Sequence, residues 1–117
     1  ALRLHHHASV VAWGGNNENE VALDWYALSR QNRDLYVADF VALYIDTVMP
    51  ALRRIDPDVV FVDTSPSNGL VSSEPYVKRW GDPQDPGLGD VHFYDKTNVA
   101  DCEEASHYPR ARFVSEH

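Results

Sequence analysis

The sequence has little of three things, and each shortage limits what the protein can be. Cys102 is the only cysteine among 117 residues, so no internal disulfide and no thiolate metal cluster can form within the chain. Lysine and arginine number ten against eighteen acids and are scattered along the chain, so the net charge of −8 predicts no nucleic-acid partner. No stretch reaches the roughly 20 apolar residues of a membrane span, so we expect no membrane partner.

Apolar segments of two kinds alternate along the chain. Short continuous runs are typical of strands, and apolar residues at helical spacing are typical of helices. Their alternation predicts a parallel α/β sheet. The predicted strands cover residues 10–13, 59–62, 90–95 and 111–117, and the predicted helices cover 20–30 and 35–55, with Pro50 kinking the second helix or ending one segment of it. The stretch 66–90 is predicted to be irregular, with one helical turn at 76–80.

Each predicted strand ends in polar residues. In parallel α/β folds, ligands bind at the carboxyl ends of the strands, so these side chains are expected to face one site. The polar residues at the four ends are Asn16, Asn17 and Glu18; Thr64, Ser65 and Ser67; Asp95; and Ser115 and Glu116.

Glu18 and Glu116 each follow a short apolar strand, 98 positions apart. Two carboxyl groups about 5 to 5.5 Å apart suit a retaining glycoside hydrolase, in which one is a protonated acid and the other an ionised nucleophile. The crowding of like charges helps one of two such groups to keep its proton. The alternative is that both are ordinary exposed glutamates, as most of the eighteen acids are expected to be.

Other patterns in the sequence suggest metal sites or a nucleophile, but none has the required spacing. Consecutive side chains such as those over 5–7 ("HHH") do not converge on one ion, and "NNENE" lacks the spacing of a calcium loop. Ser65, His92 and Asp63 could form a hydrolytic triad, but no nucleophile-elbow motif supports it. We therefore predict no metal and no cofactor.

Four sequence motifs occur together in this order: "HHHASVVAWGGNNENE", "TSPSNG", "GDVHFYD" and "PRARFVSEH". With them the chain resembles the β-mannosidases of glycoside hydrolase family 2, from about residue 4 to residue 117. The resemblance implies an α/β fold that is part of a (β/α)8 TIM barrel, namely strands four to seven with their helices. Since such a barrel takes roughly 250 residues, residues 1–117 are expected to be a partial catalytic domain, truncated at both ends.

The resemblance also implies roles for individual residues. Glu18 is the expected general acid/base and Glu116 the expected nucleophile. Asn17 is expected to hydrogen-bond the sugar 2-hydroxyl, a contact that can strengthen in the transition state. His92 and Tyr94 match barrel strand six and are expected to bind substrate, with Tyr94 donating a hydrogen bond to Glu116.

Two tryptophans are candidate platforms for the apolar face of a pyranose ring. Trp80 is expected to bind substrate in this way, with core packing as an equal alternative. Trp13 is expected to pack in the core instead, because it lies within a predicted strand.

The implied activity is hydrolysis of terminal, non-reducing β-D-mannose residues from oligosaccharides by double displacement, without a cofactor. The expected partners are the β-mannoside substrate and the remaining barrel strands and β-sandwich domains of a full-length protein. Animal members of the family are lysosomal, so the resemblance implies a lysosomal protein if this chain is of the animal type and leaves the localisation open otherwise. A related β-glucuronidase or β-galactosidase is one alternative, and an inactive remnant that serves as a structural or interaction element of a larger assembly is another.

Overall fold

Two pairs of parallel strands form the centre of the structure, a computed structural model that describes residues 1–71, 74–94 and 104–116. Strand β1 (Trp13–Gly14) pairs with β2 (Phe61–Val62), and β3 (Val91–His92) pairs with β4 (Val114–Glu116). The parallel direction that the alternating pattern predicts is therefore confirmed for both pairs. An isolated parallel bridge between Asn17 and Ser65 continues the first pair beyond its regular part.

The strands are shorter than predicted, and β1 begins at the end of the run predicted as a strand. The predicted strands over 90–95 and 111–117 each run into residues outside the described ranges, Asp95 and His117. Between β3 and β4 the register shifts, so that Val91 pairs with Val114 but His92 pairs with Glu116. An irregularity of this kind re-aims side chains, and here it sets His92 beside Glu116.

The predicted helix over 20–30 is two short helices, α1 (Asn19–Ala22) and α2 (Ala27–Gln31). The backbone N–H groups of residues 23, 24 and 25 bond to carbonyls three residues earlier, which tightens the chain after α1. Tyr26 is then extended, with φ −108° and ψ 146°, and this ends the helical path before α2 starts. The prediction of one continuous helix is wrong here.

A longer helical run follows, composed of α3 (Arg33–Phe40), a π-helix (Val41–Val48) and α4 (Met49–Arg53). Pro50 lies at the start of α4, so the predicted change of segment occurs beside it, although the run continues to Arg53. Proline removes an N–H donor and crowds the carbonyl four residues back. The wider π-helix directly before it lets the run continue.

By length and composition the run Arg33–Arg53 could cross a membrane, since its most apolar window has a mean hydropathy of 1.5. Our expectation that no stretch is long and apolar enough is wrong by this criterion. A core helix can have the same composition, and two of its residues, Phe40 and Ile45, are buried. The absence of a membrane partner stays a prediction.

The predicted helical turn over 76–80 is wrong, because these residues form turns and bends. Lys78 has a φ of 50°, outside the right-handed helical region, and its N–H donates to the Glu20 carboxylate at 2.5 Å instead of to a helix carbonyl. The buried Glu20 side chain therefore holds this loop. The local apolar spacing of residues 76–80 cannot indicate such a long-range contact.

The described residues have few buried apolar side chains and many exposed ones. Leu23, Phe61 and Val91 join Phe40 and Ile45 in the small core. The radius of gyration is 15.8 Å, against about 13 Å for a compact domain of this size. These features are typical of part of a larger fold, and membership of the strand pairs in an eight-stranded barrel stays a prediction.

Candidate active site

Glu18 and Glu116 meet at one imidazole. His92 Nδ1 lies 2.9 Å from Glu18 Oε1 and 2.7 Å from Glu116 Oε2, and the three atoms lie within 4.8 Å of one another. The alignment at Glu18 is that of a hydrogen bond, whereas Glu116 Oε2 has no aligned donor. The structure thus brings together two glutamates 98 positions apart and one of the residues expected to bind substrate.

Glu18 is held by its backbone just past β1. Its N–H donates to the carbonyl of Ser65 at 2.7 Å, and its φ of 61° and ψ of 8° lie in the left-handed region. A non-glycine residue in this conformation costs roughly 1 to 3 kcal/mol, and such residues concentrate at functional sites. This conformation lies between the end of β1 and the start of α1, and 28% of the Glu18 side chain is exposed there.

The two asparagines before Glu18 have different surroundings. Asn16 Nδ2 donates to the Asp63 carbonyl at 2.7 Å, and Asn16 Oδ1 accepts from the Thr64 hydroxyl at 2.7 Å. Asn16 therefore ties the end of β1 to the end of β2. The Asn17 side chain is exposed beside Glu18, where it is accessible to a ligand.

His92 is buried, with 8% of its surface exposed, and both ends of its peptide unit are held. Gln84 Oε1 accepts from the His92 N–H at 2.8 Å, and Gln84 Nε2 donates to the His92 carbonyl at 3.1 Å. The ring atom Nε2 lies 2.9 Å from Ser65 Oγ. The imidazole is thereby anchored through Nε2, the ring nitrogen that faces away from the two glutamates.

Asp90 lies behind Ser65 and accepts from three donors. The hydroxyls of Ser65 and Ser115 donate to Oδ2 at 2.6 and 2.5 Å, and the N–H of Ser67 donates to Oδ1 at 2.6 Å. Burial alone would raise the pKa of Asp90, but these hydrogen bonds outweigh it and hold the pKa below its usual range. Asp90 is therefore a buried, ionised carboxylate.

Tyr94 contacts the other side of Glu116. Desolvation, and then the hydrogen bond to Glu116 and the negative charges of Glu116 and Glu18, raise the pKa of the Tyr94 phenol. The phenol is therefore a hydrogen-bond donor to the carboxylate, in the position that the sequence analysis expects.

Trp80 lies on a different surface. It lines a cavity together with Trp13, Ser65, Asp90 and Ser115, and 59% of its surface is exposed. Its indole packs against Gly69, where a Cβ would lie 2.9 Å from Trp80 Cδ1. Gly69 also has a φ of 121°, so both space and conformation require glycine. Trp13 is half-buried in β1 on the wall of the same cavity.

Glu20 holds the loop that carries Trp80. Its Oε1 accepts from Asn68 Nδ2 at 2.6 Å and from the Lys78 N–H at 2.5 Å, and Asn68 Oδ1 accepts from the Trp80 N–H at 2.9 Å. Glu20 is fully buried, and this burial raises its pKa to about 7. From the sequence we expect Glu20 only to be an acid at a helix N-terminus, favoured by the helix dipole, so this role was missed.

The Ser65–His92–Asp63 triad, for which the sequence offers no nucleophile-elbow motif, is not formed among the described residues. Ser65 and His92 do meet, but the carboxylate next to them is Asp90, and the serine lies between the other two. In a hydrolytic triad the histidine lies in the middle. Asp63 instead lies 3.7 Å from Arg79, with both side chains buried, and burial raises the pKa of Asp63.

The spacing at His92 suits shared protons better than a metal. Two ligands of one zinc ion, each about 2.0 to 2.2 Å from the metal, lie more than about 3 Å apart in a tetrahedral site. The contacts of 2.7 and 2.9 Å are both shorter than this, and the one to Glu18 is a hydrogen bond. The His5 and His6 rings meet edge to face and the His6 and His7 rings are tilted against each other, contacts that likewise need no ion.

We expect the buried Glu20 to make stability depend on pH. Its folded pKa of about 7 exceeds the usual glutamate value of 4.5, so the folded protein binds the proton more tightly. This stability is complete below about pH 4.5 and is lost as the pH rises through about 7. Glu20→Gln should remove the dependence. Its stability relative to the wild type should rise by about 3 kcal/mol between about pH 4 and pH 8, as measured by denaturant unfolding.

Glu74→Gln, at an exposed position, is the matched control for this measurement. It should leave the difference from the wild type unchanged across the same pH range. A constant difference for Glu20→Gln would show that Glu20 ionises normally in the folded protein.

Comparison with known proteins places the chain among named relatives. It is 38% identical to a β-mannosidase from Rattus norvegicus and 39% identical to a β-mannosidase from Bos taurus, in each case over 98% of this chain. A β-mannosidase A from Aspergillus terreus is 26% identical over 97% of the chain. No family model matches the chain.

The matched segment is a small part of those proteins. The chain spans 13% of the length of the rat, bovine and fungal relatives. It matches them along nearly its whole length, and this confirms the resemblance seen in its motifs. The chain therefore belongs to the β-mannosidase family, as the counterpart of one segment of these longer proteins.

Proposed function

We propose that a protein containing this chain is a retaining glycoside hydrolase that removes terminal β-D-mannose residues, with Glu18 and Glu116 as its two catalytic carboxyls. The observation that carries the proposal is their meeting at His92, with carboxylate oxygens within 4.8 Å of one another. Retaining enzymes have carboxyl groups about 5 to 5.5 Å apart, and inverting enzymes about 6.5 to 9.5 Å. The kinship with β-mannosidases supports the choice of sugar.

The two carboxyls have separate tasks in the proposed reaction. Glu116 attacks the anomeric carbon while Glu18 donates its proton to the departing glycosidic oxygen, which leaves a mannosyl ester on Glu116. Glu18, now ionised, takes a proton from water, and the resulting hydroxide displaces Glu116. The product keeps the β configuration, and Glu18 again carries one proton.

The neighbouring side chains suit this assignment. Tyr94 donates to Glu116, which stabilises the ionised nucleophile before attack. Asn17 is exposed beside Glu18, and we propose that it hydrogen-bonds the sugar 2-hydroxyl. Trp80 offers an exposed indole face to a pyranose, although it lies on the neighbouring cavity and not at His92.

The exposed apolar surface fits a protein in which further barrel strands cover this segment. Several large apolar side chains are more than half exposed in the described residues. Trp80 and Phe113, at 59% and 65%, lie on the wall of the same cavity. We infer that the remaining strands and β-sandwich domains of the full-length protein cover them, and that activity requires those parts.

A panel of nitrophenyl glycosides tests the proposed function. The full-length protein should hydrolyse the β-mannoside and release β-mannose first, as followed by NMR of the anomeric proton. Turnover of only the β-glucuronide or the β-galactoside would overturn the choice of sugar. Initial release of α-mannose would overturn the retaining mechanism. Failure to cleave any glycoside would favour the alternative of an inactive structural element.

A further inference from the structure

Asp90, Ser65 and His92 form a chain of hydrogen bonds that ends at the two glutamates. Asp90 carries no proton to give, because its two oxygens accept from two hydroxyls and one backbone N–H. Each of those donors is within 2.6 Å. Because Asp90 can only accept, it sets which atom donates in each of the following hydrogen bonds, from Ser65 to His92 and on to the two glutamates.

Ser65 has a single hydroxyl proton, and Ser65 donates it in the hydrogen bond to Asp90. The Ser65 oxygen must therefore accept at its contact with His92 Nε2, which lies 2.9 Å away. Nε2 consequently carries a hydrogen. The partner of one ring nitrogen decides which nitrogen of a histidine is protonated, and here a buried carboxylate makes that choice through a serine.

This leaves Nδ1 facing two carboxyl groups. If His92 is neutral and both glutamates are ionised, three lone-pair atoms meet within 4.8 Å with no hydrogen among them. Such a contact is strongly repulsive in a partly buried site. One proton must therefore lie among Nδ1, Glu18 Oε1 and Glu116 Oε2, either on the ring or on a carboxyl.

We propose that Asp90 and Ser65 are positioning residues that fix His92 with its hydrogen on Nε2, and that His92 thereby keeps one shared proton between Glu18 and Glu116. The inference rests on the proposed function for its catalytic meaning. Retaining hydrolysis needs one proton on this pair of carboxyls, since the acid is protonated and the nucleophile is not. The hydrogen bond of 2.9 Å between Nδ1 and Glu18 is the path along which that proton reaches the acid.

The other charged groups around the site do not change this proton count. Tyr94 donates its hydrogen to Glu116 from the outer side and keeps it, because the pKa of the phenol is raised. The Asp63–Arg79 pair lies beyond the end of β2 and is balanced within itself. Among the described residues, Asp90 is the charged group that acts on Nε2 through Ser65.

Asp90→Asn reverses the chain of bonds and is the decisive variant. The new amide nitrogen donates to the Ser65 oxygen, so the Ser65 proton turns to Nε2 and the ring hydrogen moves to Nδ1. Both glutamates can then be ionised together, and the acid loses its proton at a lower pH. In the full-length protein we expect the alkaline limb of the kcat/KM profile to move down by about one pH unit. At neutral pH, kcat should fall by at most about tenfold for a substrate with a poor leaving group, because a limb that moves by one pH unit lowers the protonated fraction of the acid by no more than that.

The leaving group provides a second readout that a merely structural defect would not give. A dinitrophenolate departs without protonation, so the dinitrophenyl mannoside should lose much less activity in Asp90→Asn than the methyl mannoside. Ser115→Ala is the control, because it removes another donor to Asp90 and the 3.1 Å contact with the Ser65 oxygen but leaves the hydrogen bond from Ser65 to Asp90 in place. It should not move the alkaline limb. An equal loss for both substrates with an unmoved limb would overturn the inference.

NMR of ¹⁵N-histidine in the wild-type full-length protein tests the inference without any variant or any turnover. His92, assigned by comparison with His92→Gln, should show a protonated Nε2. A bare Nε2 would overturn the inference even if mannoside hydrolysis is found. A protonated Nε2 in a protein that cleaves no glycoside would leave the hydrogen-bond chain standing and overturn the proposed function alone.

Discussion

Glu116→Ala should lower kcat for an aryl β-mannoside by at least about 10⁴-fold, because no atom remains to form the glycosyl ester. The cavity left by the side chain admits a small anion. With a dinitrophenyl mannoside as substrate, azide should attack the anomeric carbon from the face that Glu116 has vacated. The product is then mannosyl azide of α configuration, formed in a single displacement, with dinitrophenolate as the leaving group.

The control for Glu116→Ala is Glu74→Ala, an exposed glutamate on the loop before Pro75. It should retain full activity. Thermal unfolding of Glu116→Ala should resemble that of the wild type, since the Glu116 side chain is 42% exposed and its Oε2 has no aligned donor. Residual activity above about one part in a hundred, in a protein of normal stability, would contradict the role of Glu116 as nucleophile.

The sequence predicted the two ends of the site well. Glu18 and Glu116 stand out because each follows a short apolar run, and a parallel sheet brings the ends of its strands to one edge. The structure has both parallel pairs at the expected places. Their roles in catalysis remain predictions that the variants above test.

The groups behind the glutamates could not be predicted in the same way. Asp90 reaches Ser65 and Ser115 across 25 positions in each direction, and Glu20 reaches Lys78 across 58. Such contacts depend on the packing of loops, and the local spacing of apolar residues does not predict them. One signal was available: Asp90 directly precedes an apolar strand, and an acid at that place needs partners once it is buried.

The helices show the other limit of sequence reasoning. The apolar spacing over 35–55 is helical and correctly indicates a long helical run. It does not reveal the π-helix Val41–Val48, which directly precedes the segment that contains Pro50. The break between α1 and α2 likewise depends on one extended residue, Tyr26.

Glu18→Ala should affect substrates according to their leaving groups. For the methyl or oligosaccharide mannoside, which requires protonation of the departing oxygen, kcat/KM should fall by about 10³- to 10⁴-fold. For the dinitrophenyl mannoside the loss in kcat/KM should be at most about tenfold, since the leaving group is already stable as an anion. The second step lacks its base, so mannosyl-enzyme accumulates and the release of dinitrophenolate shows a burst.

Azide separates the role of Glu18 from that of Glu116 in one experiment. In Glu18→Ala the anion should attack the ester on Glu116 and give mannosyl azide of β configuration, the opposite of the product from Glu116→Ala. If the two variants gave the reverse pair of products, Glu18 would be the nucleophile and Glu116 the acid. If neither variant depended on the leaving group and neither gave an azide product, the meeting of these carboxyls at His92 would have no catalytic meaning. The configuration of one product from each variant therefore decides which glutamate carries the sugar and which carries the proton.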